Sequence, residues 1–375
     1  MSSKKVKSKK QHSIYVAKGG TNDLGVVQVK KVRRLEVLDC TLRDGGMGLE
    51  DARLNGLSDL QFSNDKVSKI IDHLCHSNIE IIELGAIEKT NEDKSGYCIY
   101  QDVKQGSINI NKYINGDQKY TLLFRGPDTP IEKIPRWDQS LCRHLRVIIR
   151  YSEIEKSLKF CKCLSDKGYK VFIQPMVTSR YSDSELKMLV EYANEMEAYA
   201  LYIVDSYGHM HENEINRIYS HYTERLSKKI SIGFHAHNNI NLAFSNAKYF
   251  LSFIDDRDVI IDSTVLGMGQ GAGNLQTELI SYYLKQTLNK KYNTKRILEV
   301  AEIVEGFTKT NLWGYSVLNL LPAIHKAAYK YSTVLRNKYG LKYFEIDDFY
   351  SSMPEEYKNR YTPESLEKHL LKGDK

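Results

Sequence analysis

From about residue 35 onward, short apolar runs alternate with amphipathic stretches, and this alternation limits the fold more than any other feature. The runs predict strands at Leu35–Cys40, Ile79–Gly85, Tyr120–Arg125, His144–Ile149, Lys170–Met176, Ala200–Val204, Ile230–Phe234 and Val259–Ser263. Helical patterns fall between most of them, at roughly 64–77, 152–167, 183–197, 212–227, 239–251 and 273–288. Eight strands with crossovers of that length predict an α/β fold, a parallel sheet closed into a (β/α)8 TIM barrel. The runs are apolar throughout rather than alternating, as expected of strands covered on both faces.

The ends of the chain read differently. Residues 1–34 carry ten Lys or Arg and one acid, Asp23, whereas the whole chain is only +7, so the rest is close to neutral. This segment is expected to be a basic, flexible tail, solvated rather than bound to nucleic acid. The barrel is assigned to 35–290, and 291–375 is read as a helical C-terminal extension. The connection 86–118 is long, polar and contains Tyr97, Tyr100 and Tyr113. Loops of that length are commonly functional, and this one is expected to govern specificity. No run of about 18 apolar residues suggests a membrane span, and the lysine-rich start lacks a secretory apolar core. The six cysteines show neither zinc spacing nor a disulfide framework. A cytoplasmic protein is the expectation.

In a barrel, residues at the C-terminal ends of the strands converge on one face. Arg43 and Asp44 follow the first strand, within Leu38-Asp39-Cys40-Thr41-Leu42-Arg43-Asp44-Gly45-Gly46, read as a strand running into a loop. His235 and His237 follow the seventh, within Gly233-Phe234-His235-Ala236-His237. Two residues apart in extended chain, the imidazoles point the same way. One carboxylate and two imidazoles suit a divalent metal: manganese first, with magnesium, cobalt, iron or zinc as alternatives. Arg43 beside them can stabilise developing negative charge.

Other residues are weaker candidates. His209-Met210-His211 is a second His-x-His pair, further from its strand. Asp205, at the end of the sixth strand, can orient a ligand histidine. Gly267–Asn274 is a glycine-rich turn before a helix, able to cradle an anion. Within it Gly271 and Asn274 are candidates for substrate contact, though Asn274 can equally cap the helix. Glu83 ends an apolar strand and would point into the barrel or pair with a cation.

Together these segments resemble the DRE-TIM metallolyases. The likeness covers roughly residues 35–320 and rests on Thr41-Leu42-Arg43-Asp44-Gly45, Asp205-Ser206, His235-Ala236-His237 and Gly269–Asn274 with Glu278. The Gly-Gln-Gly-Ala-Gly-Asn form looks most like the hydroxy-oxovalerate aldolases of that group. The resemblance implies that Asp44, His235 and His237 bind the metal, that Arg43 stabilises an enolate, and that Asn274 lies by the site. It also implies that Tyr315, in Trp313-Gly314-Tyr315-Ser316, is an active-site tyrosine. One departure stands out: the aldolases carry a base histidine just after the Arg-Asp-Gly turn, and here that stretch is Gly46-Met47-Gly48-Leu49-Glu50. Glu50, His209 and Tyr315 are the candidates to take its proton.

The expected activity is a divalent-metal-dependent aldolase that cleaves or forms a C–C bond between a pyruvate enolate and an aldehyde. Its partners would be a small 2-oxo acid and an aldehyde, with a partner aldehyde dehydrogenase and a homo-oligomer implied by the resemblance. The alternatives are an acyl-CoA-dependent synthase that condenses with a 2-oxo acid, or a catalytically impaired relative.

Overall fold

A computed structural model of the protein describes residues 32–108, 118–254, 256–308 and 313–373. Among the described residues nine strands form: β1 (Arg34–Asp39), β2 (Ile81–Ile87), β3 (Ile99–Tyr100), β4 (Lys119–Phe124), β5 (His144–Ile149), β6 (Lys170–Pro175), β7 (Ala200–Asp205), β8 (Ser231–Ala236) and β9 (Asp258–Ser263). All pairings are parallel, in the order β1-β9-β8-β7-β6-β5-β4-β2, and β1 also pairs with β2. That last pairing closes an eight-stranded TIM barrel. The eight predicted runs are its eight strands, and nearly every residue in them is buried.

The barrel helices are α1 (Thr41–Leu54), α2 (Asn64–Cys75), α4 (Ile154–Asp166), α5 (Asp183–Glu195), α6 (Glu212–Arg225), α7 (Ala243–Phe253) and α8 (Thr277–Leu288). A short α3 (Val103–Ser107) lies in the β2–β4 connection. Capping is local and readable: Ser182 accepts from the Glu185 N–H, and the Glu185 carboxylate returns to the Ser182 N–H ahead of α5. The helices bury apolar stripes against the strands in one continuous core.

Two elements depart from the sequence reading. Residues 41–54 are helical rather than loop. Their glycines read as a turn, yet here they permit close approach. A Cβ on Gly46 would collide with the Tyr97 carbonyl, and one on Gly48 with the Gly269 carbonyl. The described part of the β2–β4 connection, up to residue 108, is also more ordered than a polar loop. Tyr97 is buried, and β3 hydrogen-bonds beside β2 at Ala86 and Ile87. Tyr113 lies outside the described residues.

Residues 1–31 likewise lie outside the described residues. Arg33 and Arg34, counted with the basic tail, pair with Asp258 at 2.7 and 3.0 Å at the base of the barrel. After β9 and α8, α9 (Thr294–Thr308) packs on α2 and α8. The remaining helices are α10 (Val317–Ile324), α11 (Lys330–Asn337), α12 (Tyr343–Ser352), α13 (Glu355–Lys358) and α14 (Pro363–Gly373). They share a second, smaller core that includes Leu321, Tyr331, Leu335, Ile346 and Tyr350. Among the described residues, no helix is long and apolar enough to cross a membrane.

Candidate metal centre

Asp44 is delivered by the first turn of α1. The Asp39 carboxylate accepts from the Thr41 N–H at 3.0 Å, and the Asp44 N–H donates to the Cys40 carbonyl at 2.8 Å, so the helix starts directly at the strand end. An acid in the first turn is favoured by the helix dipole. His235 lies in β8, and His237 follows one residue beyond its end. His237 forms an isolated bridge with Asn274, which ties the glycine-rich loop to the end of β8.

The three side chains converge. Nε2 of His235 is 3.4 Å from Nε2 of His237 and 3.6 Å from Oδ2 of Asp44. Atoms bound at about 2.1 Å to one ion stand roughly 3.0–3.4 Å apart, so these separations fit a shared cation. A hydrogen-bond partner assigns the His235 tautomer. Nδ1 of His235 faces Oδ2 of Asp262 at 2.9 Å, and the Gln270 backbone lies beside the His237 ring. The carboxylate therefore draws the His235 proton to Nδ1 and leaves its Nε2 lone pair facing His237 and Asp44. Oδ1 of Asn274 is buried with no hydrogen-bond partner, and Oδ1 of Asp44 lies 3.0 Å from the Arg43 guanidinium. Two imidazoles and a carboxylate whose donor atoms lie within 4.8 Å of one another make a set that fits a divalent cation.

Electrostatics favour the ligand forms. Burial alone would raise the Asp44 carboxyl, but Arg43, His237, His235 and the Asn274 amide outweigh it and hold it below the ordinary carboxylate value. Burial pushes His237 down to about 4, which keeps it neutral and free to ligate. Asn274 donates to Oδ2 of Asp44 at 2.6 Å.

Behind these three side chains runs a chain of buried charges. Arg43 donates Nε to Glu83 at 2.7 Å and lies 3.0 Å from Asp44. Glu83 also accepts from Nη1 of Arg146 at 2.9 Å, and Nη2 of Arg146 pairs closely with Asp262. Asp262 in turn accepts from the Tyr202 hydroxyl at 3.0 Å and faces His235. Arg146 is completely buried. Sequence reasoning missed Arg146 and Asp262. Both were open to it, as lone opposite charges inside apolar strands, where buried charges must pair.

Residues 144–304 match the HMGL-like family model. A 4-hydroxy-2-oxovalerate aldolase of Thermomicrobium roseum is 38% identical over 122 residues, 32% of this chain and 33% of that protein, so this match spans only a third of the relative. A 4-hydroxy-2-oxovalerate aldolase of Geobacillus thermodenitrificans is 36% identical over 279 residues, 72% of this chain and 75% of that protein. The chain belongs to the DRE-TIM metallolyases, on their aldolase-like side. The fold agrees: the N-terminal domain of a putative aldolase from Bacteroides vulgatus superposes with a TM-score of 0.65 at 21% identity, covering 84% of this chain and 97% of that one.

The other expected site residues are spread out. Asp205 does not orient a ligand histidine. Its carboxylate accepts the backbone N–H groups of His209 and Met210 at 2.9 and 3.1 Å, and burial raises it to about 7. The carboxylate on His235 is Asp262. His209 is 3.2 Å from the Ser179 hydroxyl, and burial lowers it to about 4. Glu50 is committed to Lys94 and Arg125 at 2.8 and 3.0 Å. Tyr315 is 58% exposed, on the approach to α10. Gly271 adopts φ +61° beneath the Tyr329 ring. Among the described residues, no hydrogen bond or ion pair joins Glu50, His209 or Tyr315 to Asp44, His235 or His237.

Proposed function

We propose that this metallolyase is a divalent-metal-dependent aldolase acting on 4-hydroxy-2-oxo acids, and that Asp44, His235 and His237 hold the ion. The observation that carries the reading is the convergence of the His235 and His237 Nε2 atoms, 3.4 Å apart, beside the Asp44 carboxylate. A bound divalent ion would supply Lewis-acid polarisation of the 2-oxo group. In the cleavage direction the 4-hydroxyl loses its proton, the C3–C4 bond breaks to release an aldehyde, and C3 is then protonated to give pyruvate.

The chain's own residues do the rest. Arg43, fixed by Glu83, places a permanent positive charge beside Asp44, where negative charge on the 2-oxo oxygen would develop. Asn274 steadies Asp44 and leaves its own carbonyl oxygen free to face the site. Manganese is the favoured ion, since oxygen and imidazole ligands together suit it.

The test is pyruvate release from a panel of 4-hydroxy-2-oxo acids by metal-stripped protein, with and without added Mn²⁺. Metal-dependent release that disappears in His235→Ala supports the aldolase. Metal binding with no pyruvate from any substrate, but with turnover of an acyl-CoA and a 2-oxo acid, would replace it with the condensing synthase.

A further inference from the structure

The helical extension meets the barrel at the loop that carries Asn274. Trp313 donates its indole N–H to the Gly269 carbonyl at 2.7 Å, and the Gly314 N–H donates to the Ala272 carbonyl at 2.8 Å. The Tyr329 ring covers Gly271, where a Cβ would meet it at 3.4 Å. The same loop reaches the ligands from its other side. Asn274 holds Asp44 and bridges to His237, the Asn238 N–H donates to the Gly273 carbonyl at 3.0 Å, and the Gln270 backbone lies beside the His237 ring.

Asp51 joins these parts. It lies seven residues beyond Asp44 on α1 and is buried. The Gln270 amide donates to its Oδ2 at 2.6 Å, the Tyr329 hydroxyl donates to the same oxygen, and Nζ of Lys330 lies 2.6 Å from its Oδ1. One carboxylate therefore gathers the ligand-bearing helix, the glycine-rich loop and the start of α11.

We infer that the helical extension is part of the metal centre, with Asp51 and Tyr329 as positioning residues that hold Gln270 and, through it, His237. The inference rests on the reading of Asp44, His235 and His237 as metal ligands. Its physical basis is the cost of ordering the loop. Gly267, Gly271 and Gly273 all have positive φ, at 68°, 61° and 77°, and a loop so rich in glycine loses much freedom when fixed. If the loop is ordered only part of the time, metal affinity falls by that fraction. Docking of the extension keeps it ordered. By linkage, an ion that fixes His237 and Asp44 tightens the docking of the extension to the same degree.

The experiment titrates Mn²⁺ into metal-free full-length protein by calorimetry, comparing wild type with Tyr329→Phe and Asp51→Asn, at a temperature where circular dichroism shows all three folded. Tyr329→Phe keeps the ring and removes only the hydroxyl, so it reports on the junction even if Asp51→Asn does not fold. We expect Tyr329→Phe to weaken Mn²⁺ binding about tenfold. We also expect Mn²⁺ to slow hydrogen exchange across residues 313–335 in wild type and much less in the variant. Equal affinities, with exchange in 313–335 indifferent to Mn²⁺, overturn the inference while leaving the metal site standing. No Mn²⁺ binding by wild type overturns the ligand assignment and this inference with it.

Discussion

Nδ1 of His235 lies 2.9 Å from Asp262, while Nε2 of the same ring faces Asp44 at 3.6 Å. The carboxylate fixes which nitrogen bears the proton and leaves the other free for an ion. Replacing such a partner commonly weakens metal binding by about 10–100-fold. Asp262→Asn is expected to fall in that range in a Mn²⁺ titration. Unchanged affinity would mean that the ring is oriented by packing alone.

Arg146 bridges Glu83 and Asp262 with no exposure to solvent. Removing one partner of a buried ion network strands the others. Arg146→Met should cost about 3–5 kcal/mol in urea unfolding. A loss under about 1 kcal/mol would show that the two carboxylates find other compensation.

Arg43 is a candidate for stabilising charge in the transition state, so its loss should appear in turnover more than in ion binding. Arg43→Ala is expected to lower kcat by roughly two to three orders of magnitude with Mn²⁺ affinity changed far less. Full turnover in the variant removes Arg43 from the mechanism.

Burial pushes the Asp39 carboxyl up to about 6, against hydrogen bonds from Thr277 and Thr41 that pull it down. An unfolded aspartate titrates near ~3.9. The native state thus holds the proton more tightly, and this stabilising contribution is complete below about pH 4. It is lost as pH rises through 6. Asp39→Asn lacks the proton linkage and can still accept from the Thr41 N–H. Relative to this variant, wild type should lose on the order of 2 kcal/mol between pH 4 and 6.5 in denaturant titrations. Parallel pH profiles would refute the raised carboxyl.

Two helical glycines should respond in opposite directions to alanine. Gly48 abuts the Gly269 carbonyl, so Gly48→Ala forces α1 off the glycine-rich loop and should destabilise by about 1–3 kcal/mol. Gly306 in α9 has open space where a Cβ would go. Gly306→Ala should stabilise by about 0.5–1 kcal/mol. Thermal unfolding of both variants checks the pair.

The barrel was legible because strands covered on both faces must be apolar throughout, and such runs are hard to mistake. Asp44, His235 and His237 were legible because strand ends in a barrel converge. What escaped depends on contacts distant in sequence. The helical state of 41–54 follows from what Gly46 and Gly48 lie against, not from local propensity. Asp205 and Asp262 both end or nearly end a strand, and only the directions of their side chains assign one to loop backbone and the other to His235. Tyr315 was singled out by its neighbours in sequence, whereas the tyrosine of the extension that reaches the Asp51 junction is Tyr329, fourteen positions on.

The short strand β3 has a consequence for engineering. β1 pairs with β2 only at Ile81 and Ile82, because the chain then turns into α1. β3 takes over at Ala86 and Ile87, the upper stretch of β2 that β1 has vacated. Connections between barrel strands are often treated as exchangeable modules for altering substrate range. Here, trimming the β2–β4 connection to a typical length would uncover unpaired backbone at the seam of the barrel, an edge prone to pairing with another chain. Libraries built on this scaffold should vary the connection beyond Tyr100 and keep 95–100 intact.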